Sequence, residues 1–342
     1  MTDARALRDR AVAVIPCLNE ERTIASVIER ILDDAGWADP LLVVADGGST
    51  DGTIELVAAI AERDPRVRLV HNPSRIQSAA VNLAAALHAD GRDWLVRVDA
   101  HSAYPQAYVS SLMREAKRVG ACSVTVSVRT AGRGFFQRAV ACAQNSHLGT
   151  GGSAHRLGGC EGFVDHGHHG LFSLDEFLAA GGYDETFTHN EDAELDVRLR
   201  RNGGRIWLTN AIEIVYFPRA SPRALVRQYA HYGWGRARTL RLHREKPRLR
   251  QTLPLAVAPA IVLLGAAPLW PLAATPALLW TATCCLYGVA LAVRQRSAPG
   301  LLAGPAAMLM HMGWSFGFWA HLLTRRRPPA MHENPPPAER PT

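Results

Sequence analysis

The sequence predicts an α/β fold, a largely parallel sheet with helices on both faces, continued by an apolar helical region. Three observations predict it. Short apolar runs alternate with helical periodicity from Ala11 to Asp99, the pattern of strand–helix–strand units. Polar clusters close those runs at their carboxyl ends, where open α/β sheets bind ligands. From Thr252 to Val293 there is no Asp, Glu, Lys, Arg or His, a composition suited to lipid.

The elements follow in order. Ala11 to Ile15 reads as a buried strand, a polar loop carries Asn19 and Glu20, and helical periodicity runs from Ile24 to Leu32. Leu41 to Ala45 is a second strand, ending in the loop Asp46 to Thr53, with a helix from there to Arg63. Val67 to Val70 is a third strand, Ser78 to His88 a helix, and Trp94 to Val98 a fourth strand ending at Asp99. Asn190-Glu191-Asp192 opens a later helix. No GxGxxG follows the first strand and no GxxxxGK[ST] occurs, which sets aside dinucleotide and P-loop readings.

A membrane-spanning helix needs roughly 20 apolar residues. Thr252 to Val293 is long enough for two, with Pro268, Pro271 and Pro276 marking a turn. Arg248 and Arg250 before this hairpin, and Arg294 and Arg296 after it, place both outer ends on the cytoplasmic side. Ala298 to Leu323 is a third apolar stretch, interrupted by Gly304, Pro305, His311 and Gly313; a span and a re-entrant or interfacial helix both remain open for it. Pro222 to Lys246, rich in Arg, Tyr, Trp and Leu, reads as an amphipathic helix lying in the headgroup layer. The expected organisation is a cytosolic catalytic part over residues 1–220 and an interfacial helix over 221–250. A membrane region over 251–324 and a disordered, proline-rich tail over 325–342 complete it. The whole reads as a multi-pass cell-membrane protein with its catalytic domain in the cytoplasm.

Composition narrows the classes further. The chain has 342 residues, 48% of them hydrophobic, and a net charge of +7. Much of the positive charge lies beside apolar segments, from Arg219 to Arg250 and at Arg325 to Arg327, where it meets anionic lipid. No stripe of interleaved basic and aromatic residues supports nucleic-acid binding. The six cysteines form no CxxC pair, as expected of small apolar filler in a reducing compartment. Met1 to Arg10 is charged and lacks the apolar core of a signal peptide.

The ordered motifs Ile15-Pro16-Cys17-Leu18-Asn19-Glu20-Glu21, Asp46-Gly47-Gly48-Ser49-Thr50-Asp51-Gly52-Thr53 and Asp99-Ala100-His101 resemble those of family 2 glycosyltransferases of GT-A fold. Gly181-Gly182-Tyr183-Asp184-Glu185 followed by Asn190-Glu191-Asp192 continues the likeness, which covers about residues 11 to 240. The resemblance implies a GT-A nucleotide-binding sheet and an inverting transfer of sugar from a nucleotide-diphosphate donor, UDP-linked, to a lipid-linked saccharide in exopolysaccharide or envelope glycan synthesis. It implies that Pro16, Asn19, Glu20 and Asp46 line the base and ribose pocket. Relatives often carry two adjacent aspartates where this chain has Asp46-Gly47. A purely local role for this loop, capping the next helix through Thr50 or Asp51, is the competing reading.

By the same resemblance Asp99 and His101 stand at the metal motif, in the form Asp-x-His rather than Asp-x-Asp. The ion would be Mn²⁺ or Mg²⁺, and a nitrogen ligand tilts the choice towards Mn²⁺. Asp192 stands at the general-base position, with Glu191 and Glu194 as rivals, although acids in a first helical turn also follow from the helix dipole. His231 and Arg236 lie where relatives contact the donor diphosphate; lipid headgroups are the other partner open to them. Asp165-His166-Gly167-His168-His169-Gly170 lacks the partner pattern of a zinc site and reads as an acceptor-pocket loop. Two other functions stay in view: a polyprenyl-phosphate glycosyltransferase, whose anionic acceptor needs no base, and a non-catalytic membrane scaffold that binds nucleotide sugar. The expected partners are a nucleotide sugar, a lipid-linked acceptor and membrane lipids, with no nucleic acid.

Overall fold

The structure is a computed structural model that describes residues 10–324; the expected tail, Arg325 to Arg327 and most of the N-terminal segment lie outside the described residues. The strands are β1 (Ala11–Cys17), β2 (Leu41–Asp46), β3 (Val67–His71), β4 (Trp94–Arg97), β5 (Ser123–Thr130), β6 (Gly162–Val164), β7 (His168–Ser173) and β8 (Ile206–Tyr216). They form one sheet in the order β3-β2-β1-β4-β7-β5-β8-β6. β3, β2, β1 and β4 run parallel, as the alternating pattern implies. β7 then enters antiparallel between β4 and β5, and β8 runs parallel to β5. The helices that flank the sheet are α1 (Ile24–Leu32), α2 (Thr53–Arg63), α3 (Gln77–His88), α4 (Tyr108–Val119), α5 (Phe135–Gln144), α6 (His147–Thr150), α7 (Ala154–Leu157), α8 (Leu174–Ala179) and α9 (Glu191–Arg201).

Both faces of the central strands are buried, so these strands read as continuous apolar runs. Ala11, Ala13 and Ile15 enter one apolar layer with Leu42, Val44 and Val96. Their neighbours Val12, Val14, Val43, Ala45 and Leu95 enter the layer on the opposite face. Burying each larger aliphatic side chain contributes about 1.5–3 kcal/mol, so the register that keeps both faces apolar is strongly fixed. α9 agrees with its own dipole: Glu191, Asp192 and Glu194 stand in the first turn, Arg198, Arg200 and Arg201 in the last.

The remaining chain is helical: α10 (Pro222–His243), α11 (Leu249–Leu255), α12 (Val257–Leu264), α13 (Thr275–Gln295) and α14 (Ala303–Leu323). It corrects two expectations. α10 does not lie free in a headgroup layer; one face is packed along α14. A Cβ on Gly233 would stand 1.9 Å from the Trp314 carbonyl oxygen, and one on Gly317 would stand 2.0 Å from that of Ala230. Only glycine permits this approach, and Gly313, one of the residues that interrupt the third apolar stretch, is on the same contact surface as Gly317. The hairpin is also unequal. Pro271–Gln295 is long and apolar enough to cross a membrane, with a mean hydropathy of 1.7, whereas the first arm is the shorter apolar helix Gln251–Leu264.

Nor does the chain part cleanly at residue 220 or 250. Val140 and Ala143 of α5 share one apolar cluster with Leu225 of α10, Leu291 of α13 and Ala306, Ala307 and Met310 of α14. The helical bundle is thereby fixed to the sheet domain.

Candidate active site

A cavity of about 1330 Å³ opens beyond the carboxyl ends of β1, β2 and β4. Its floor is a row of charges. Arg97, 6% exposed at the end of β4, bonds Asp192 Oδ1 at 2.6 Å and stands 3.5 Å from Asp99 and 3.9 Å from Glu191. Tyr183 Oη donates to the same Asp192 oxygen at 2.7 Å. One buried cation thus gathers three carboxylates from two separate stretches of chain. Such a cation is tolerated only when paired and hydrogen-bonded.

The carboxylates differ in character. Burial opposes the charge on Asp99, but Arg97 beside it, with a hydrogen bond from Gln77, outweighs it and holds the group below its usual range. Asp192 is likewise buried yet held low, chiefly by Arg97. Glu191 is pushed upward by burial and by the charge of Asp192 beside it. The pair therefore splits into an ionised Asp192 and a Glu191 that holds its proton more tightly, a division of acid and base character set by environment.

The expected nucleotide loop is built differently from its motif reading. Asp46 is 2% exposed. Its Oδ2 accepts from the Gly48 and Ser49 amides at 2.7 and 2.9 Å, and its Oδ1 from Ser49 Oγ at 2.5 Å. Asn19 Oδ1 accepts from the Thr50 amide at 2.8 Å and its own amide donates to Ser49 Oγ. Asp46 closes its own loop and Asn19 ties the β1 loop to it; neither side chain is on the cavity wall. Asp51 accepts from the Thr53 amide and hydroxyl at the start of α2, which is the local capping role. Pro16, Cys17, Leu18, Glu20, Gly47 and Arg75 of this region do line the cavity.

Asp99 and His101 both line it too. His101 does not turn to Asp99; its Nδ1 lies 3.1 Å from Glu20 Oε1. The imidazole that approaches Asp99 is His168, with Nε2 at 3.6 Å from Oδ2. Burial drives the His168 pKa down to about 4, so this ring is neutral. Among the described residues no three His, Cys, Asp or Glu side chains close into a metal cage. The donor set nonetheless fits a hard divalent ion that takes one or two protein ligands and completes its shell with diphosphate and water. His231 and Arg236 of α10 also reach the cavity, His231 with Nδ1 at 3.2 Å from His189 Nε2. Trp234 instead packs edge-on against His321 of α14. Glu194, the rival acid, is engaged by Arg198 and His243.

Arg97 and Arg75 carry no motif label, and Tyr183 and His168 stand in quoted segments without a role of their own. Arg97 had a readable signal, an arginine inside a buried apolar strand two residues before Asp99. The far wall of the cavity gave none. It is made of Leu253, Val257, Ala260, Trp280, Met310 and Trp314 from α11 to α14, and Arg156, Arg219 and Arg227 also line the cavity.

The model of the family described as glycosyl transferase family 2 matches residues 12–173. The chain is 50% identical over 318 residues to the succinoglycan biosynthesis protein ExoA of Rhizobium meliloti (strain 1021), covering 93% of this chain and 96% of that protein. A mannosyltransferase from Pyrobaculum calidifontis, solved with GDP-Man and Mn²⁺, superposes with a TM-score of 0.60 at 20% identity, covering 93% of this chain and 88% of the other. The 1–349 fragment of S. aureus TarS superposes at 0.50 with 9% identity, covering 92% and 91%. These two show the fold.

Proposed function

The chain belongs to glycosyl transferase family 2, and on that premise we propose that it moves a sugar from a UDP-linked donor to a lipid-linked saccharide, with inversion, in exopolysaccharide synthesis. The observation that carries this reading is the mixed lining of the cavity. The carboxylates Asp99 and Asp192 share it with Leu253, Val257, Ala260, Trp280, Met310 and Trp314 of the bundle helices. A water-soluble acceptor has no use for the apolar part of this lining, and a polyprenyl chain has. The 50% identical relative is named for succinoglycan biosynthesis, which agrees with an acceptor of this class.

Asp192 is the general base of the proposed reaction. Arg97 and Tyr183 both bond its Oδ1, so Oδ2 is the oxygen that meets the acceptor hydroxyl. Its depressed pKa keeps it ionised, and the hydroxyl acidifies as its oxygen bonds to the anomeric carbon. Such a base is worth about 10²–10⁴ in rate. Asp99, with His101, would hold Mn²⁺ or Mg²⁺, which when bound offsets the charge gathering on the nucleotide diphosphate. Pro16 and Glu20 border the nucleotide, with Asn19 and Asp46 shaping the loop behind them. His231 and Arg236 face the donor phosphates.

The outer surface of the bundle supports attachment to the membrane: Val262, Leu269, Leu272, Leu278, Leu279 and Leu286 are all more than half exposed, and exposed apolar surface of this kind marks membrane contact. We read α11 to α13 as a hairpin in which α13 crosses the bilayer and the shorter arm returns through it, which leaves both basic flanks cytoplasmic.

The test uses the full chain in detergent with a panel of nucleotide sugars and a polyprenyl-diphosphate-linked saccharide. The reading requires labelled sugar in the extracted lipid, in the anomeric configuration opposite to the donor. Transfer to polyprenyl phosphate instead would favour the base-free alternative, and binding of nucleotide sugar without turnover would favour a scaffold.

A further inference from the structure

The histidine loop between β6 and β7 holds a second buried acid that the proposed reaction leaves unused. Asp196 lies one helical turn beyond Asp192 on the same face of α9, a separation of about 6 Å, and is 1% exposed. Both its oxygens meet this loop: Oδ2 is 2.6 Å from His166 Nδ1 and Oδ1 is 2.7 Å from His169 Nε2. The two rings then differ. His169 is buried, its Nδ1 2.7 Å from Ser123 Oγ, and its ring stacks on Phe172. It is enclosed by Asp196, Ser123 and Phe172, and it anchors the loop. His166 keeps 22% of its side chain exposed and forms part of the cavity wall.

A carboxylate on Nδ1 fixes the proton there and leaves Nε2 as an acceptor. Burial favours the neutral ring. Gly167 sets the spacing: a Cβ there would stand 2.5 Å from Thr125, so the loop lies flat on β5 with His166 and His168 on either side. His168 approaches Asp99, whereas His166 is bound to the acid one turn past Asp192. Contacts along the floor run from Asp99 to Arg97 to Asp192, and His166 joins through Asp196, one helical turn past Asp192.

We propose that His166, oriented by Asp196, is an acceptor-binding residue whose Nε2 accepts a hydrogen bond from a hydroxyl of the acceptor saccharide. This rests on the reading that the acceptor reaches Asp192 from this side. Asp196 is then a positioning residue, and His169 with Ser123 holds Asp196 in turn.

Two substitutions separate the proposal from a merely structural role. In His166→Asn the amide can replace Nδ1 and keep the Asp196 bond, but nothing occupies the place of Nε2. In His166→Gln the amide reaches the place of Nε2 and gives up Asp196. Steady-state kinetics on the full chain in detergent, with a synthetic lipid-linked saccharide, give the acceptor KM and kcat; calorimetry with UDP gives donor-site affinity. The proposal requires an acceptor KM at least tenfold higher in His166→Asn, a larger change than in kcat, UDP affinity within twofold of wild type, and partial recovery in His166→Gln. Asp196→Asn should raise the acceptor KM alone but add little to His166→Asn. An acceptor KM within twofold of wild type in His166→Asn, or a Gln variant worse than Asn, overturns it. A wild-type enzyme that transfers nothing to any lipid-linked saccharide would defeat the functional reading itself, a separate result.

Discussion

The cavity floor and the helical bundle are held together by opposite physics. On the floor, Arg97 binds Asp192, Asp99 and Glu191 within 3.9 Å; each partner is specific, and removing the cation leaves the others without their counter-charge. In the bundle, α10 and α14 approach closely where Gly233, Gly313 and Gly317 stand at the contact. There the limit is set by shape. Charge pairing in a largely enclosed site names its partners, whereas close packing on glycine names only a size. The floor is therefore where single substitutions should cost most, and the bundle where volume should matter more than chemistry.

The largest effect expected is at Arg97. Arg97→Met leaves three buried carboxylates without their counter-charge, and breaking a buried pair in this way costs about 3–5 kcal/mol. Denaturant unfolding in detergent should show that loss, with transfer abolished. A variant as stable as wild type would mean the three acids are not held by this cation. Next comes Gly317→Ala, whose Cβ alone would stand 2.0 Å from the Ala230 carbonyl oxygen. Overpacking of this kind costs about 1–3 kcal/mol or more, and Gly317→Leu should cost no less. A Gly317→Ala variant as stable as wild type would contradict a size-limited contact.

The outer face of the bundle sharpens the comparison. Replacing Leu278, Leu279 and Leu286 together by Ser should change stability in detergent by only a few tenths of a kcal/mol each, as exposed sites do, yet weaken flotation with liposomes. Unchanged flotation would remove these residues from the lipid contact. The smallest effect concerns Glu191. Its folded pKa is raised, so the folded state binds more protons than the unfolded one above the ordinary glutamate range. Stability from this group is then fully present at low pH and falls as pH rises through the raised value. The wild type should lose melting temperature relative to Glu191→Gln across that interval, and a difference independent of pH would argue against the raised pKa.

The same division explains what the sequence disclosed. The four parallel strands, the loops at their ends and the start of α9 were legible, because apolar runs and acidic clusters are local signals. β5 to β8 were not assigned, since the antiparallel entry of β7 between β4 and β5 joins segments far apart in sequence. Asp192 and Asp99 were legible as types, but their shared cation was not, because Arg97 reads as an interruption of a strand until its partners are in place. Asp46 and Asn19 carry the expected motif yet spend their oxygens on the loop, since a short acidic or amide side chain in a glycine-rich turn satisfies nearby amides first. α10 read as a membrane-surface helix because hydropathy does not distinguish a neighbouring helix from lipid. Histidines 166 and 169 were placed in an acceptor loop, but their common partner, Asp196, was not foreseen.

The account depends above all on Asp192 removing the acceptor proton. Asp192→Asn keeps the size of the side chain and removes the base, so transfer should fall by about 10²–10⁴, while calorimetric affinity for UDP stays within twofold of wild type. Transfer within threefold of wild type, at unchanged UDP affinity, would contradict the account.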